Sequence, residues 1–148
     1  MNLYPIFYEK GIQILKEKGI LGFITPYTIL KNQYYKESRK YIIDNTKIIE
    51  LIDFKGILVF QDAAVDSIIL TLEKGKYDNY NFKQISNIIS FENENYSTDY
   101  YNISEIKQNE DLSMLVTLND KLIKRVSKKT KPLKEIINFN QGIITGGN

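Results

Sequence analysis

The sequence predicts an α/β chain: half of a doubly wound sheet with a reversed final strand, then an irregular linker and the start of a second domain. Three observations carry this. The apolar runs "ILGFITP", "KIIELIDF" and "VDSIILTLEK" have the length and β-branched content of buried strands. Amphipathic stretches precede the first run and join it to the second. Only eleven residues, Lys55 to Val65, join the second run to the third. That is short for a helical crossover, so the third strand should run antiparallel.

The first element is "NLYPIFYEKGIQILKEKG", read as a helix over residues 3–18 with Leu3, Phe7, Ile14 and Leu15 on one apolar face. Lys16 and Lys18 suit its last turn, and Gly19 a left-handed stop. A strand follows at 20–25, ended by Pro26. "NQYYKESRKYIIDN" predicts a helix over 33–44, with Tyr34, Tyr35, Tyr41 and Ile42 as its apolar side and Asn45 as a cap. Strands at 47–53 and 65–73 complete the sheet. The first two, joined through a helix, should be parallel in one sheet with a right-handed crossover. Three strands with two helices leave sheet faces uncovered. The reading is therefore of a piece of a domain whose other half comes from elsewhere.

Residues 76–117 are rich in Asn, Tyr, Ser and Glu and read as a linker with short strands in "YNFKQISNIISFE". "STDYYNISEIKQNEDL" reads as a surface connector. "LNDKLIKRVSKKTK" predicts a helix with Leu122, Ile123 and Val126 on its buried side, ended by Pro132. The sequence from 118 to 148 reads as a connecting helix and the beginning of a second domain.

Composition excludes much chemistry. The chain has 148 residues and neither cysteine nor histidine, so disulfides, thiolate metal sites, histidine bases and Ser-His-Asp triads cannot be built from it. At 43% hydrophobic and 26% charged it falls among globular chains. No apolar stretch is long enough to span a membrane, and a cytoplasmic location is expected. Net charge is +2, unevenly spread: Lys121 to Lys134 holds seven basic residues and no acid, while Glu92 to Asp111 holds six acids and one lysine. The basic cluster, Lys121, Lys124, Arg125, Lys128, Lys129, Lys131 and Lys134, is either a solvated helix face or a surface for an anionic partner. Phe60 is conspicuous beside Gln61, Asp62, Ala63 and Ala64 at the mouth of the third strand. It either caps the sheet as core or offers an aromatic platform to a ligand from outside. Pro26 and Tyr27 lie where doubly wound sheets place ligands, at a strand's C-terminal end.

In order and spacing these segments resemble a known family. "NLYPIFYEKG", "GILGFITPYTILK", "SRKYIIDNTKIIELIDF" with its Arg39, and "VFQDAAVDSIILTLEK" are similar to the later helices and strands of adenine-specific DNA methyltransferases of the TaqI-like group. Relatives of that group include the combined restriction-modification enzymes of type IIG. "PLKEIINFNQGIITGGN" resembles the start of their target recognition domain.

The resemblance implies that residues 1–75 are the C-terminal half of a catalytic domain. That domain moves a methyl group from S-adenosylmethionine to the exocyclic amine of an adenine turned out of duplex DNA. The family's cofactor-binding glycine motif and Asn-Pro-Pro-Tyr-type motif are absent and belong upstream of Asn2. The chain alone is thus expected to be inactive and to bind the cofactor only weakly. It should pair with the missing half, or with itself, through the exposed half-sheet. Phe60 resembles the residue that stacks on the displaced base, and the position matching Phe7 lines the cofactor pocket near the reactive methyl. Asp53 and Asp66 are assigned no catalytic role, because the upstream Asn and a backbone carbonyl polarise the amine. No catalytic residue and no metal ligand is expected in this chain. Two rival readings stand beside this one: a non-catalytic DNA-binding or assembly module, and a methyltransferase acting on RNA or a small molecule.

Overall fold

The computed structural model of the chain describes residues 3–57, 59–60, 65–114, 126, 129–131 and 135–137. The chain divides into two compact units, Met1–Val116 and Thr117–Asn148.

The first unit is a five-stranded sheet with helices on one face. In chain order its elements are α1 (Tyr4–Ile14), β1 (Ile20–Pro26), two 3₁₀ turns (Tyr27–Leu30 and Gln33–Tyr35), α2 (Lys36–Asn45), β2 (Thr46–Asp53), β3 (Ser67–Lys74), β4 (Asn81–Ser90), β5 (Asn95–Asn102) and α3 (Ile103–Lys107). The strands lie in the order β1-β3-β2-β4-β5. β3 is inserted between β1 and β2 and runs antiparallel to both. β1 and β2 therefore point the same way, as expected of strands joined through a helix, but they are not neighbours. The short connection from β2 returns the chain into the gap between them. β4 runs parallel to β2, and β5 closes the sheet as an antiparallel hairpin with β4.

The core follows from this arrangement. Ile68, Leu70 and Leu72 of the central strand are fully buried. They cluster with Ile48 and Leu51 of β2, Tyr8 and Ile12 of α1, and Ile42 and Ile43 of α2. On β1 the alternate residues Ile20, Gly22 and Ile24 stay exposed, as a strand covered on one face requires.

α1 differs from its expected form in length and face. Its buried residues are Tyr8 and Ile12, while Leu3, Phe7 and Ile14 are exposed. The Tyr8 hydroxyl hydrogen-bonds the Thr25 hydroxyl at 3.0 Å, so the tyrosine can go inside with its polar tip satisfied. The helix ends at Ile14 rather than near Lys18. Lys74 Nζ donates to the carbonyls of Gln13 (3.1 Å) and Leu15 (2.6 Å), placing a cation on the last free acceptors. Lys18, not Gly19, takes the left-handed conformation, at φ 61°. Gly19 is needed for space, since a Cβ there would sit 2.8 Å from the Lys16 carbonyl oxygen.

α2 begins at Lys36, and Tyr34 and Tyr35 belong to a 3₁₀ turn before it. Its buried residues are Arg39, Ile42 and Ile43; Tyr34 is exposed. Asn45 Nδ2 donates to the Tyr41 carbonyl and Thr46 Oγ1 to that of Ile42, so both help to close the helix.

Residues 76–114 belong to the first unit and add β4 and β5 to its sheet instead of forming a linker. Phe82 and Ile85 of β4 and Ile103 and Ile106 of α3 are buried. The Tyr80 hydroxyl accepts the Ile48 N–H, at the irregularity where β2 slips register against β3. Glu50 and Lys83 form an ion pair at 3.0 Å across the parallel β2–β4 contact. α3 opens with a capping box: Asn102 Oδ1 accepts from the Ser104 N–H and Glu105 reaches back to the Asn102 N–H.

In the second unit, the Lys129 N–H donates to the Val126 carbonyl at 2.8 Å. Val126, expected on a buried side, is 53% exposed. Most of the expected helix over 118–131 lies outside the described residues.

Candidate functional site at the C-terminal edge of the sheet

The pairing brings the C-terminal ends of β1, β2 and β4 and the N-terminal ends of β3 and β5 to one edge. Pro26 pairs with Ser67 at its β1 corner. The Tyr27 N–H donates to the Asp66 carbonyl (2.8 Å) and the Phe54 N–H to the Ser67 carbonyl (3.1 Å), so both chain exits are tied to the start of β3.

The loop after β2 starts with a tight turn. The Ile57 N–H donates to the Phe54 carbonyl at 2.7 Å, and Gly56 adopts φ 83°. A positive φ at the third turn position is what a type II turn demands, and glycine meets it without strain. Asp53 Oδ1 accepts the Lys55 N–H and Asp66 Oδ1 the Gly56 N–H, so the two carboxylates brace the turn from either end. Phe54 packs edge-on against Phe91 of the β4–β5 hairpin, and Phe91 in turn against Tyr96. From this base the chain leads to Val59 and Phe60, and Phe60 is 50% exposed. Gln61, Asp62, Ala63 and Ala64 lie outside the described residues.

Phe7 approaches the same region from the helix side. Tyr4 and Tyr8 hydrogen-bond Thr28 and Thr25, which sets the start of α1 beside the end of β1. The Phe7 ring packs edge-on to Phe23 at 6.3 Å and is otherwise exposed. Pro26 ends β1, Phe7 packs on Phe23 three residues before it, and Phe60 stands on the loop that leads into β3. Of the basic cluster, Lys129 and Lys131 are exposed; Lys121, Lys124, Arg125, Lys128 and Lys134 lie outside the described residues. Among the described residues, no three metal-ligating side chains cluster and no helix is long and apolar enough to cross a membrane.

The edge is electrostatically uneven. Burial raises the Tyr27 hydroxyl pKa, and the charges of Asp53 and Asp66 raise it further. Burial also holds the Asp53 carboxyl above the ordinary carboxylate range; the Lys55 N–H bond and ammonium oppose this, and the Asp66 charge adds to it. Folding therefore favours protonated Asp53. The stability it contributes is full below the unfolded pKa and is lost as pH rises through the raised folded value. Asp53→Asn keeps an acceptor for Lys55 and removes the ionisation. Its denaturation midpoint should change less with pH than the wild type's across the window just above the usual carboxylate range. Equal pH slopes in the two proteins would contradict this.

The fold is thus α/β, a mixed five-stranded sheet with helices and with several strand ends and loops gathered at one edge. Residues 1–60 match the profile of the Eco57I restriction-modification methylase family. Over 152 aligned residues the chain is 31% identical to the type II restriction enzyme and methyltransferase RM.Eco57I of Escherichia coli, covering 98% of this chain and 15% of that protein. It is 34% identical over 61 residues to the type II methyltransferase M.BstVI of Geobacillus stearothermophilus, covering 41% of this chain and 11% of that protein. The fold is shared with the type IIG restriction endonuclease BpuSI, with a TM-score of 0.60 at 12% identity over 87% of this chain and 18% of that one. In sequence the chain is thus similar to type II restriction-modification methyltransferases, and it spans only a small part of the length of the relatives it matches.

Proposed function

We propose that this chain supplies the C-terminal half of the catalytic sheet of a site-specific adenine DNA methyltransferase of a restriction-modification system, acting in the cytoplasm. The observation that carries the reading is the β3 strand, reversed between β1 and β2, with a half-exposed Phe60 on the loop that leads into it. β3 is then the reversed strand of the catalytic sheet, and residues 118–148 begin the recognition domain.

Phe60 replaces the stacking that an adenine loses when it leaves the duplex. Phe7 and Pro26 border the cofactor side of the pocket, and the exposed Phe7 ring fits that role by offering an apolar wall. S-adenosylmethionine, when bound, supplies the methyl group. This chain's part is to hold the base edge-on to that pocket and to exclude water from it. The basic residues Lys121, Lys124, Arg125, Lys128, Lys129, Lys131 and Lys134 contact phosphates of double-stranded DNA. The exposed stripe of Leu3, Ile6, Phe7 and Ile14, beside the unpaired edge of β1, receives the cofactor-binding half of the domain.

The product tests the reading. DNA treated with a methyltransferase containing this chain is digested to nucleosides. N6-methyladenine is expected; methylcytosine instead, or a methylated RNA or small molecule with unmodified DNA, would overturn the proposal.

A further inference from the structure

The loop joining β1 to α2 leaves the same sheet edge as the Phe60 loop, to which it is tied through the Tyr27–Asp66 hydrogen bond. From Pro26 to Lys36 it carries two lysines, three tyrosines and no carboxylate. Two of the tyrosines turn inward: Tyr27 is partly buried, and Tyr35 packs against Tyr4 with ring centroids 5.2 Å apart. Tyr34 does the opposite and is 92% exposed.

The backbone that presents it is clamped. Asn32 Oδ1 accepts the Tyr34 N–H at 3.0 Å. The fully buried Arg39 guanidinium donates to the carbonyls of Ile29 (2.9 Å) and Asn32 (2.8 Å). A loop held this firmly loses little freedom when it binds something.

The flanking cations are free to act. Among the described residues the ion pairs are Lys40–Asp44 and Lys83–Glu50, and neither Lys31 nor Lys36 has a carboxylate partner. The Lys31 ammonium instead lies 6.0 Å from the centre of the Tyr27 ring, close to the sheet edge. Glu37, the next acid along the chain, lines the groove between α1 and α2.

We propose that Lys31, Tyr34 and Lys36 form a grip on the DNA backbone beside the base pocket, the lysines neutralising phosphates and the Tyr34 hydroxyl donating to a phosphate oxygen. This rests on the reading of the edge as a DNA methyltransferase site. Lysines and tyrosines are both regular partners of phosphate and fix the register of a protein on its duplex. A base can be turned out of the stack only if the backbone around it is held.

Binding of the chain to a short fluorescein-labelled duplex of mixed sequence, titrated by anisotropy over a range of salt, tests the grip. Each lost phosphate contact by a lysine removes about 0.9 from the slope of log affinity against log salt, so Lys31→Gln with Lys36→Gln should flatten it by about 1.8. Tyr34→Phe should weaken binding several-fold at every salt concentration and leave the slope unchanged, because its hydroxyl is neutral. The control is Lys16→Gln with Lys76→Gln, which removes the same charge from exposed positions at the opposite edge and should leave the slope as it is. The grip is overturned if both double variants flatten the slope equally, if the Lys31/Lys36 pair leaves it unchanged, if Tyr34→Phe binds as the wild type does, or if the chain binds no duplex at low salt. Duplex held through these residues, with no N6-methyladenine formed by a methyltransferase containing this chain, would sink the reaction proposed above and leave the grip standing.

Discussion

Arg39→Ala should cost about 3–5 kcal/mol of folding stability, the largest effect expected of any single substitution in the first unit. Its guanidinium is completely buried and makes four hydrogen bonds to three backbone carbonyls, those of Ile29, Asn32 and Asp111. Burial lowers its pKa, and the nearby Asp111 charge supports the cation. Alanine takes the Arg39 donors from the Ile29 and Asp111 carbonyls, leaves Asn32 with the Tyr35 N–H (3.0 Å), and opens a cavity between the β1–α2 loop, α2 and the 109–114 turn. An unsatisfied buried acceptor costs about 1–3 kcal/mol, and a typical domain has only about 5–15 kcal/mol in total. Lysine presents one compact donor group where a planar fork is needed, so Arg39→Lys should recover little of the loss. Thermal unfolding followed by circular dichroism should place the alanine variant more than about 10 °C below the wild type. Melting within about 2 °C of the wild type would mean that the clamp contributes nothing that neighbouring contacts cannot replace.

The same residue shows what a sequence hides. Arg39 sits one turn from Ile42 and Ile43 and reads as an ordinary surface cation of an amphipathic helix. Its burial depends on carbonyls 7, 10 and 72 residues away, which only the assembled fold brings together. The three strands β1, β2 and β3 were legible because apolar β-branched runs have few other uses. The reversal of β3 followed from the shortness of its connection. Its position between β1 and β2 did not, because loop length limits direction and not order.

Helix limits were the weakest part. α1 stops where Lys74 arrives, about sixty residues downstream of its last turn. The choice of Tyr8 over Phe7 for the core depends on Thr25 offering a hydroxyl partner. β4 reads as short strands of a linker rather than as part of the sheet, and β5 is hidden by its Asn, Tyr and Ser content, although Phe82, Ile85 and Tyr101 pack against or beside the core. The Asn102-to-Glu105 capping box was a readable signal that those residues belong to ordered structure. At the site, composition alone left Phe60 between core and platform. Lys31 gives no signal and Tyr34 reads onto the apolar side of a helix, because nothing in a sequence says which tyrosine of three will point outward.

Phe60→Ala should slow methylation of duplex DNA by roughly 5- to 150-fold in an enzyme containing this chain, the equivalent of the 1–3 kcal/mol that stacking on an aromatic contributes per base. Affinity for S-adenosylmethionine should be nearly unchanged. Phe60→Trp and Phe60→Tyr should keep much of the rate, since any broad π-face can receive the base. A ring that is 50% exposed has little core to lose, so none of the three should melt far from the wild type. A packing role predicts the reverse pattern: truncation costs about 3–5 kcal/mol, and the larger tryptophan is poorly tolerated. The deciding measurement is melting temperature and methylation rate on the same three variants. The account predicts a slow but stable alanine variant and active tryptophan and tyrosine variants; a destabilised alanine variant with normal activity per folded molecule would contradict it.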